Sequence, residues 1–194
     1  MGLFGWLKRN GSSAGSRELA DWRKTWSAAA SGSADSAAVT ALRTRLDAMA
    51  LSADDKEIEL EMLDALEELL RLRADVEQGG LPVVESGHRL VGTDSCHFSA
   101  PVSMPDDDAQ PSGRLLLTST KAIFVGGARA TTVPWHAVGE AVHNERDLLL
   151  IRKDREHLYR FRCNTFGDAL RSAFLSQRLA AARQGNAARP SRNE

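Results

Sequence analysis

The chain is predicted to fold as an α+β protein, with an N-terminal helical arm followed by an antiparallel β domain that a C-terminal helix closes. Three observations carry this expectation. Apolar residues recur at helical spacing up to Gly79-Gly80, strand-length apolar runs bounded by turn formers begin at Gly113, and helical spacing returns after Asn164-Thr165. At 194 residues and 42% hydrophobic, the chain is long enough for a real core with a smaller appendage.

Residues 1–16 are expected to be a flexible terminus. Leu3, Phe4, Trp6 and Leu7 precede Lys8 and Arg9, a pattern that can sit at a lipid headgroup boundary. The plainer reading is a frayed end, because so short a segment buries too little area for stable attachment. The Met-Gly start lacks the Ser or Thr that myristoylation wants at the sixth residue, which is Trp6.

Residues 17–80 are expected to form the helical arm. A first helix from Arg17 places Leu19, Trp22 and Trp26 on one side and breaks at Ser31-Gly32-Ser33. A second from Ser36 to about Ala50 repeats Val39, Leu42, Leu46 and Met49 at three and four. Ser52 and Asp55 have the spacing of a capping box, and the third helix they open carries Ile58, Met62, Leu66, Leu69, Leu70 and Val76 as one stripe. Gly79-Gly80 and Pro82 end it. The last two helices should pair as an antiparallel hairpin. Their apolar stripe must be covered within the arm, by the β domain or by a second copy of the chain.

Residues 81–183 are expected to be the β domain and its helix. Ser95–Ser99 reads as a strand, followed by a loop holding Pro101, Pro105, Asp106-Asp107-Asp108 and Pro111. Residues 113–162 read as four or five strands, among them Gly113–Thr118 and Lys121–Gly126, with Pro134 suited to an edge or a strand end. Val138–His143, Asp147–Lys153 and His157–Cys163 follow. Thr165 and Asp168 repeat the capping logic ahead of a helix bearing Leu170, Phe174 and Leu179, and the polar, basic residues 184–194 are expected to be disordered.

Gly113-x-Leu-x-Leu-Thr118, then Lys121-x-Ile-Phe124-x-Gly126, then Val133-Pro-Trp135 and a short turn before Val138 together resemble the GRAM and bacterial pleckstrin-homology-like (PH-like) families. The resemblance covers the C-terminal half alone. It implies a partly open β-barrel or sandwich plugged by the helix at 165–183, used as a binding module for phosphoinositide, membrane or protein, with no catalytic residues. The sequence departs from the family at Ser119-Thr120, where an asparagine is common, so the type of that turn stays open.

Charge is divided along the chain. Residues 52–78 carry ten acids against three bases, and residues 152–194 ten bases against four acids, behind a net charge of −1. Alternation on the last strand puts Leu158, Arg160 and Arg162 on one side and His157, Tyr159, Phe161 and Cys163 on the other. With Arg152, Lys153 and Arg155 at the adjoining turn, these cations are the candidate anion-, lipid- or partner-binding rim, since arginine forks grip phosphate or carboxylate oxygens in pairs. The plainer reading is a solvated hairpin balanced by Asp154 and Glu156, with the acids at 54–68 competing for the same cations.

Other chemistry is excluded or weak. His88, His97, His136, His143 and His157 with Cys96 and Cys163 lack zinc-ligand spacing, Asp106-Asp107-Asp108 lacks that of a calcium loop, and neither cofactor nor metal is expected. Trp135 after proline reads as a core plug. No phosphate loop or nucleophile elbow occurs, so the chain is expected not to be an enzyme. Nucleic acid is disfavoured by the near-neutral charge, although the basic tail offers nonspecific contacts. Two lone cysteines fit buried thiols in a reducing compartment, and no run of about 18 apolar residues or export signal is present, so a cytoplasmic protein, peripheral to the inner membrane face at most, is expected. The excess of arginine over lysine points to a GC-rich bacterial source. The function class is therefore a binding module for a protein or an anionic membrane surface. Its alternative is a structural protein whose arm dimerises and whose β domain is scaffold.

Overall fold

The computed structural model describes residues 13–32, 34–52, 54–109, 111–126 and 129–187. The Leu3/Phe4/Trp6/Leu7 segment and the last seven residues lie outside them. The chain forms two compact units, 1–63 and 64–194, divided within the third helix.

In the first unit, α1 (Ser13–Ser31) and α2 (Ser36–Ala48) join the opening turns of α3 (Glu57–Gly79). α1 begins four residues before the expected Arg17. Asp35 caps α2, its carboxylate accepting from the Ala38 N–H at 2.9 Å. The Ser52 hydroxyl accepts from the Asp55 N–H at 3.2 Å and donates to the Asp55 carboxylate at 2.7 Å, which starts a 3₁₀ turn at Asp54–Lys56 leading into α3.

Trp22 and Trp26, one turn apart, hold the unit together. Both are buried, and both satisfy the indole N–H on a helix backbone: Trp22 donates to the Leu42 carbonyl at 2.8 Å and Trp26 to the Met62 carbonyl at 2.6 Å. Val39, Leu42, Leu46 and Leu63 are buried with them. Arg23 donates through Nε to the fully buried Glu59 at 2.7 Å, supplying the partner a buried carboxylate requires. Ile58 and Leu60 stay exposed.

The second unit is a single antiparallel sheet of seven strands with the order β4-β3-β2-β1-β7-β6-β5. Its strands are β1 (Cys96–Ser103), β2 (Ser112–Thr118), β3 (Lys121–Gly126), β4 (Arg129–Pro134), β5 (Val138–Asn144), β6 (Asp147–Arg152) and β7 (Leu158–Cys163). α4 (Phe166–Ala187) follows, and the expected α+β class, with helices, an antiparallel sheet and a C-terminal helix in that order, is the fold observed. Residues 112–163 hold six strands rather than four or five, because Arg129–Pro134 is an edge strand too polar to read as a core run. Pro101 lies within β1 rather than in a loop. β1 meets β7 only at Val102 and Ser103, so at Pro101 one side of the strand has no ladder, and a proline is tolerated there.

The sheet curls until side chains of non-adjacent strands meet: the Phe124 and Phe161 rings, from β3 and β7, lie 6.0 Å apart. Leu115, Leu117, Leu148 and Leu150 complete the interior, and Ala169, Leu170, Ala173, Leu175 and Leu179 of α4 are buried as well. Thr165 caps α4 by accepting from the Asp168 N–H at 3.0 Å, while the Asp168 carboxylate accepts from Arg171 at 2.7 Å instead of reaching back.

At the corner between β4 and β5 the chain turns through Pro134 and a 3₁₀ turn at Trp135–Ala137. Trp135 is fully buried, its Nε1 donating to the Thr118 carbonyl at 2.7 Å and its backbone N–H to the Thr120 carbonyl at 3.1 Å. The expected core plug is therefore also a polar tie between the corner and the β2–β3 turn. On β5, the Ala141 carbonyl accepts from Gln177 of α4 at 2.8 Å.

β1–β3 are covered on both faces. Residues 80–95 cross the outer face, Val84 donating its N–H to the Cys96 carbonyl at 2.8 Å, and Val91 joins Cys96, Leu116 and Ile123 in a second small core. Gly113 is required where β2 meets β3, because a Cβ there would collide with the Val125 carbonyl.

Truncating the corner indole empties a fully enclosed site. Trp135→Ala is expected to lower unfolding free energy by about 3–5 kcal/mol, and Trp135→Phe by about 1–3 kcal/mol, since phenylalanine refills much of the volume but strands the Thr118 carbonyl. Urea titration followed by circular dichroism measures both, and equal losses would show that the hydrogen bond contributes nothing.

Candidate functional site

The outer face of β5–β7 carries the cations singled out from the sequence. Pairing sets Asp147 opposite Arg162, Leu149 opposite Arg160 and Ile151 opposite Leu158, so these six side chains share one face. Phe161 and Cys163 point inward and are buried, as the alternation predicts.

The five cations do not form one cluster. Arg160 and Arg162 both close on Asp147, which is almost fully buried beneath them. Arg162 donates through Nε to Oδ1 at 2.8 Å and through a terminal nitrogen to Oδ2 at 3.2 Å, and Arg160 donates through Nε to Oδ2 at 2.6 Å. Arg160 also reaches Asp106 of the β1–β2 loop at 3.3 Å. Burial pushes the Asp147 carboxyl up, but the hydrogen bonds and charges of Arg162 and Arg160 outweigh it and hold the group below its usual range. Asp147 in turn raises the Arg162 guanidinium.

Arg152, Lys153 and Arg155 sit at the other end of the hairpin, roughly 13 Å along the strands at about 3.3 Å per residue. Arg152 pairs with Asp154 at 2.9 Å. Arg155 adopts a left-handed φ of 58° in the turn and donates its N–H to the Arg152 carbonyl at 2.9 Å. Asp154, Glu156 and His157 bring one donor atom each within 4.8 Å of one another, all exposed, with Asp154 already occupied by Arg152. Asp147, Asp106 and Asp154, which pair with the rim arginines, all come from the β domain.

Between the two cation groups lies an apolar strip that the sequence did not single out. Val142 opposes Leu149, and Ile151 opposes Leu158. Val142, Leu149 and Ile151 are half-buried and Leu158 is 51% exposed, in contrast to the covered outer face of β1–β3. The alternation that marked Arg160 and Arg162 marks Leu158 too, but strand pairing, invisible in one sequence, is what lines up the other three.

The Ser119-Thr120 turn, whose type the sequence left open, is held by side chains. Asp94 accepts from the Thr118 hydroxyl at 3.0 Å and from the Thr120 hydroxyl, and Arg183 of α4 donates to the Ser119 carbonyl at 3.2 Å. His97 is buried between the Pro82 carbonyl, 2.7 Å from Nδ1, and the Ser119 hydroxyl, 3.1 Å from Nε2. A carbonyl can only accept, so Nδ1 carries a proton. Burial pushes the Cys163 thiol up to about 12, with Asp168 adding to it, and burial likewise raises Cys96. Among the described residues no helix is long and apolar enough to cross a membrane.

No family model matches the chain, and no curated protein matches it. Among solved structures it is similar to the C-terminal domain of an unknown protein from Leishmania infantum, at 13% identity and a TM-score of 0.39 over 46% of this chain and 87% of that one. It is similar to a mutant of the DH/PH domains of p115-RhoGEF at 9% identity and a TM-score of 0.42, covering 84% of this chain and 56% of that chain. The DH/PH fragment of PDZRHOGEF in complex with human RhoA is similar at 11% identity and a TM-score of 0.41, covering 86% and 54%. The chain thus spans a little over half of the RhoGEF chains it matches.

Two outcomes follow from this chemistry. Because the folded pKa of Asp147 lies below its unfolded value near 3.9, its carboxylate contributes stability that is present above that pH and lost as pH falls through the folded pKa. Asp147→Asn should cost about 2 kcal/mol at pH 7 and progressively less below pH 4, read by urea unfolding at several pH values. Neither cysteine should react with Ellman's reagent in the folded protein, and both should after unfolding. Rapid native labelling of Cys163 would contradict the burial described here.

Proposed function

We propose that the protein is a non-catalytic binding module that engages a protein partner through the outer face of β5–β7. The observation that supports this most is the strip Val142, Leu149, Ile151 and Leu158, partly open to solvent and flanked by charges of both signs. An apolar centre with a mixed-sign polar rim suits a protein surface. A headgroup site needs surplus positive charge, whereas Arg160 and Arg162 are engaged by Asp147 and Asp106, and Arg152 by Asp154. Lys153 and Arg155 remain as exposed rim cations suited to steering an acidic partner. In this reading residues 17–80 are a helical arm and residues 81–183 the binding domain of a cytoplasmic bacterial protein.

Self-association through the arm is the second reading, favoured by the exposure of Ile58 at 47% and Leu60 at 37% on α3. The tryptophan stripe does not need a second copy, since it is buried within the first unit.

Leu158→Glu should reduce capture of a specific partner from host extract by about tenfold or more while leaving the melting temperature unchanged, because the residue is exposed. The wild-type protein should not float with phosphatidylserine vesicles. Flotation that Arg152→Glu and Arg155→Glu abolish would replace the protein partner with an anionic membrane. Light scattering of wild type beside Ile58→Glu tests the arm, and a monomer at all concentrations would remove the second reading.

A further inference from the structure

The cover on the outer face of β1–β3 is held more lightly than the sheet beneath it. Residues 81–91 contain neither helix nor strand, and a glycine in the left-handed region stands at each end, Gly80 with a φ of 83° and Gly92 with a φ of 64°. Gly80 closes α3, its N–H donating to the Val76 carbonyl at 3.0 Å. A Cβ added at either glycine would meet nothing within 4 Å, so no neighbour clamps the backbone at these two points.

Between the glycines two side chains anchor the segment. Val84 and Val91 pack with Cys96, Leu116 and Ile123, whereas Val83 and Leu90 are exposed. The polar ties to the sheet are also few. The Val84 N–H donates to the Cys96 carbonyl at 2.8 Å, the His97 ring donates to the Pro82 carbonyl at 2.7 Å, and the Ser86 side chain hydrogen-bonds that of Cys96. The bonds from the Val91 N–H to the His88 carbonyl at 2.9 Å and from the Leu90 N–H to His88 Nδ1 at 3.3 Å are internal, so the segment can move without breaking them. Past Gly92, Asp94 accepts from Thr118 and Thr120 and fixes the chain to the β2–β3 turn. The main core lies on the opposite face of the sheet and uses none of these contacts, and an element with so little buried apolar area opens at lower free energy than the whole domain.

We propose that residues 81–91 are a hinged flap that lifts from the outer face of β1–β3 as one unit, turning at Gly80 and Gly92, while the sheet and α4 stay folded. Closed, the flap withholds Cys96, Leu116 and Ile123 from solvent; open, it uncovers them. The motion does not depend on the strip across β5–β7. Each cysteine reports a different event: Cys96 lies under the flap, and Cys163 is buried in the main core.

Iodoacetamide alkylation of the full chain over hours, in a urea series below the unfolding midpoint, with each cysteine read by peptide mass spectrometry, tests the flap. Cys96 should be alkylated about tenfold or more faster than Cys163 at low urea, with the two rates converging near the midpoint. Leu150→Val removes a methylene from the main core, which is intact in both the closed and the open state. It should therefore speed Cys163 by about fivefold and leave Cys96 unchanged. Val84→Ala loosens the flap itself and should speed Cys96 by about fivefold or more. A Cys96 rate no greater than that of Cys163 throughout the series, equal acceleration of both cysteines by Leu150→Val, or no effect of Val84→Ala on Cys96 would each overturn the proposal.

Discussion

The β domain depends on one constraint: a curled, seven-stranded ribbon whose two edge strands do not pair must still exclude water from its interior. α4 supplies most of the apolar cover, but the corner between β4 and β5 is where the chain has to turn without a ladder. Trp135 resolves this by combining bulk with a donor. The ring fills the corner, and its N–H satisfies a strand-end carbonyl that would otherwise lie buried and unpaired. The Phe124–Phe161 contact shows how tightly the ribbon closes, since β3 and β7 are separated by two other strands in the sheet.

Charge on this domain is organised in two different ways. On the outer hairpin face, acids drawn from β6 and from the β1–β2 loop neutralise arginines of β7, so the surface is locally mixed and carries its apolar strip between matched ions. Around Phe174, Arg73 and Arg178 from separate helices share a ring, and burial and then the charge of Arg178 lower the basicity of Arg73.

Much of the architecture was legible in local pattern. The capping residues Ser52 and Thr165, the inward turn of Phe161 and Cys163, and the edge position of Pro134 all follow from spacing and backbone chemistry. The edge strand Arg129–Pro134 was harder to read, because edge residues are half-exposed and carry no clean apolar run. The site was less legible. Arg160 and Arg162 stood out as exposed cations, but their common partner Asp147 lies thirteen residues or more earlier and meets them only through strand register. The pairing of Arg73 with Arg178 across Phe174 is harder still, since it joins two helices with the entire sheet between them in sequence. The clasp of Asp94 on Thr118 and Thr120 likewise substitutes a distant carboxylate for a local turn residue.

The hydrogen bond from Gln177 to the Ala141 carbonyl bears on how copies of this protein coexist at high concentration. An unpaired strand border is a template for another chain, and a long, flat one invites aggregation. At β5 the side-chain amide occupies one acceptor that an incoming strand would need, and at the far border β4 ends in Pro134, which has no N–H to offer. Each margin of the ribbon thus carries a block to extension, which favours discrete particles over open-ended stacking of sheets.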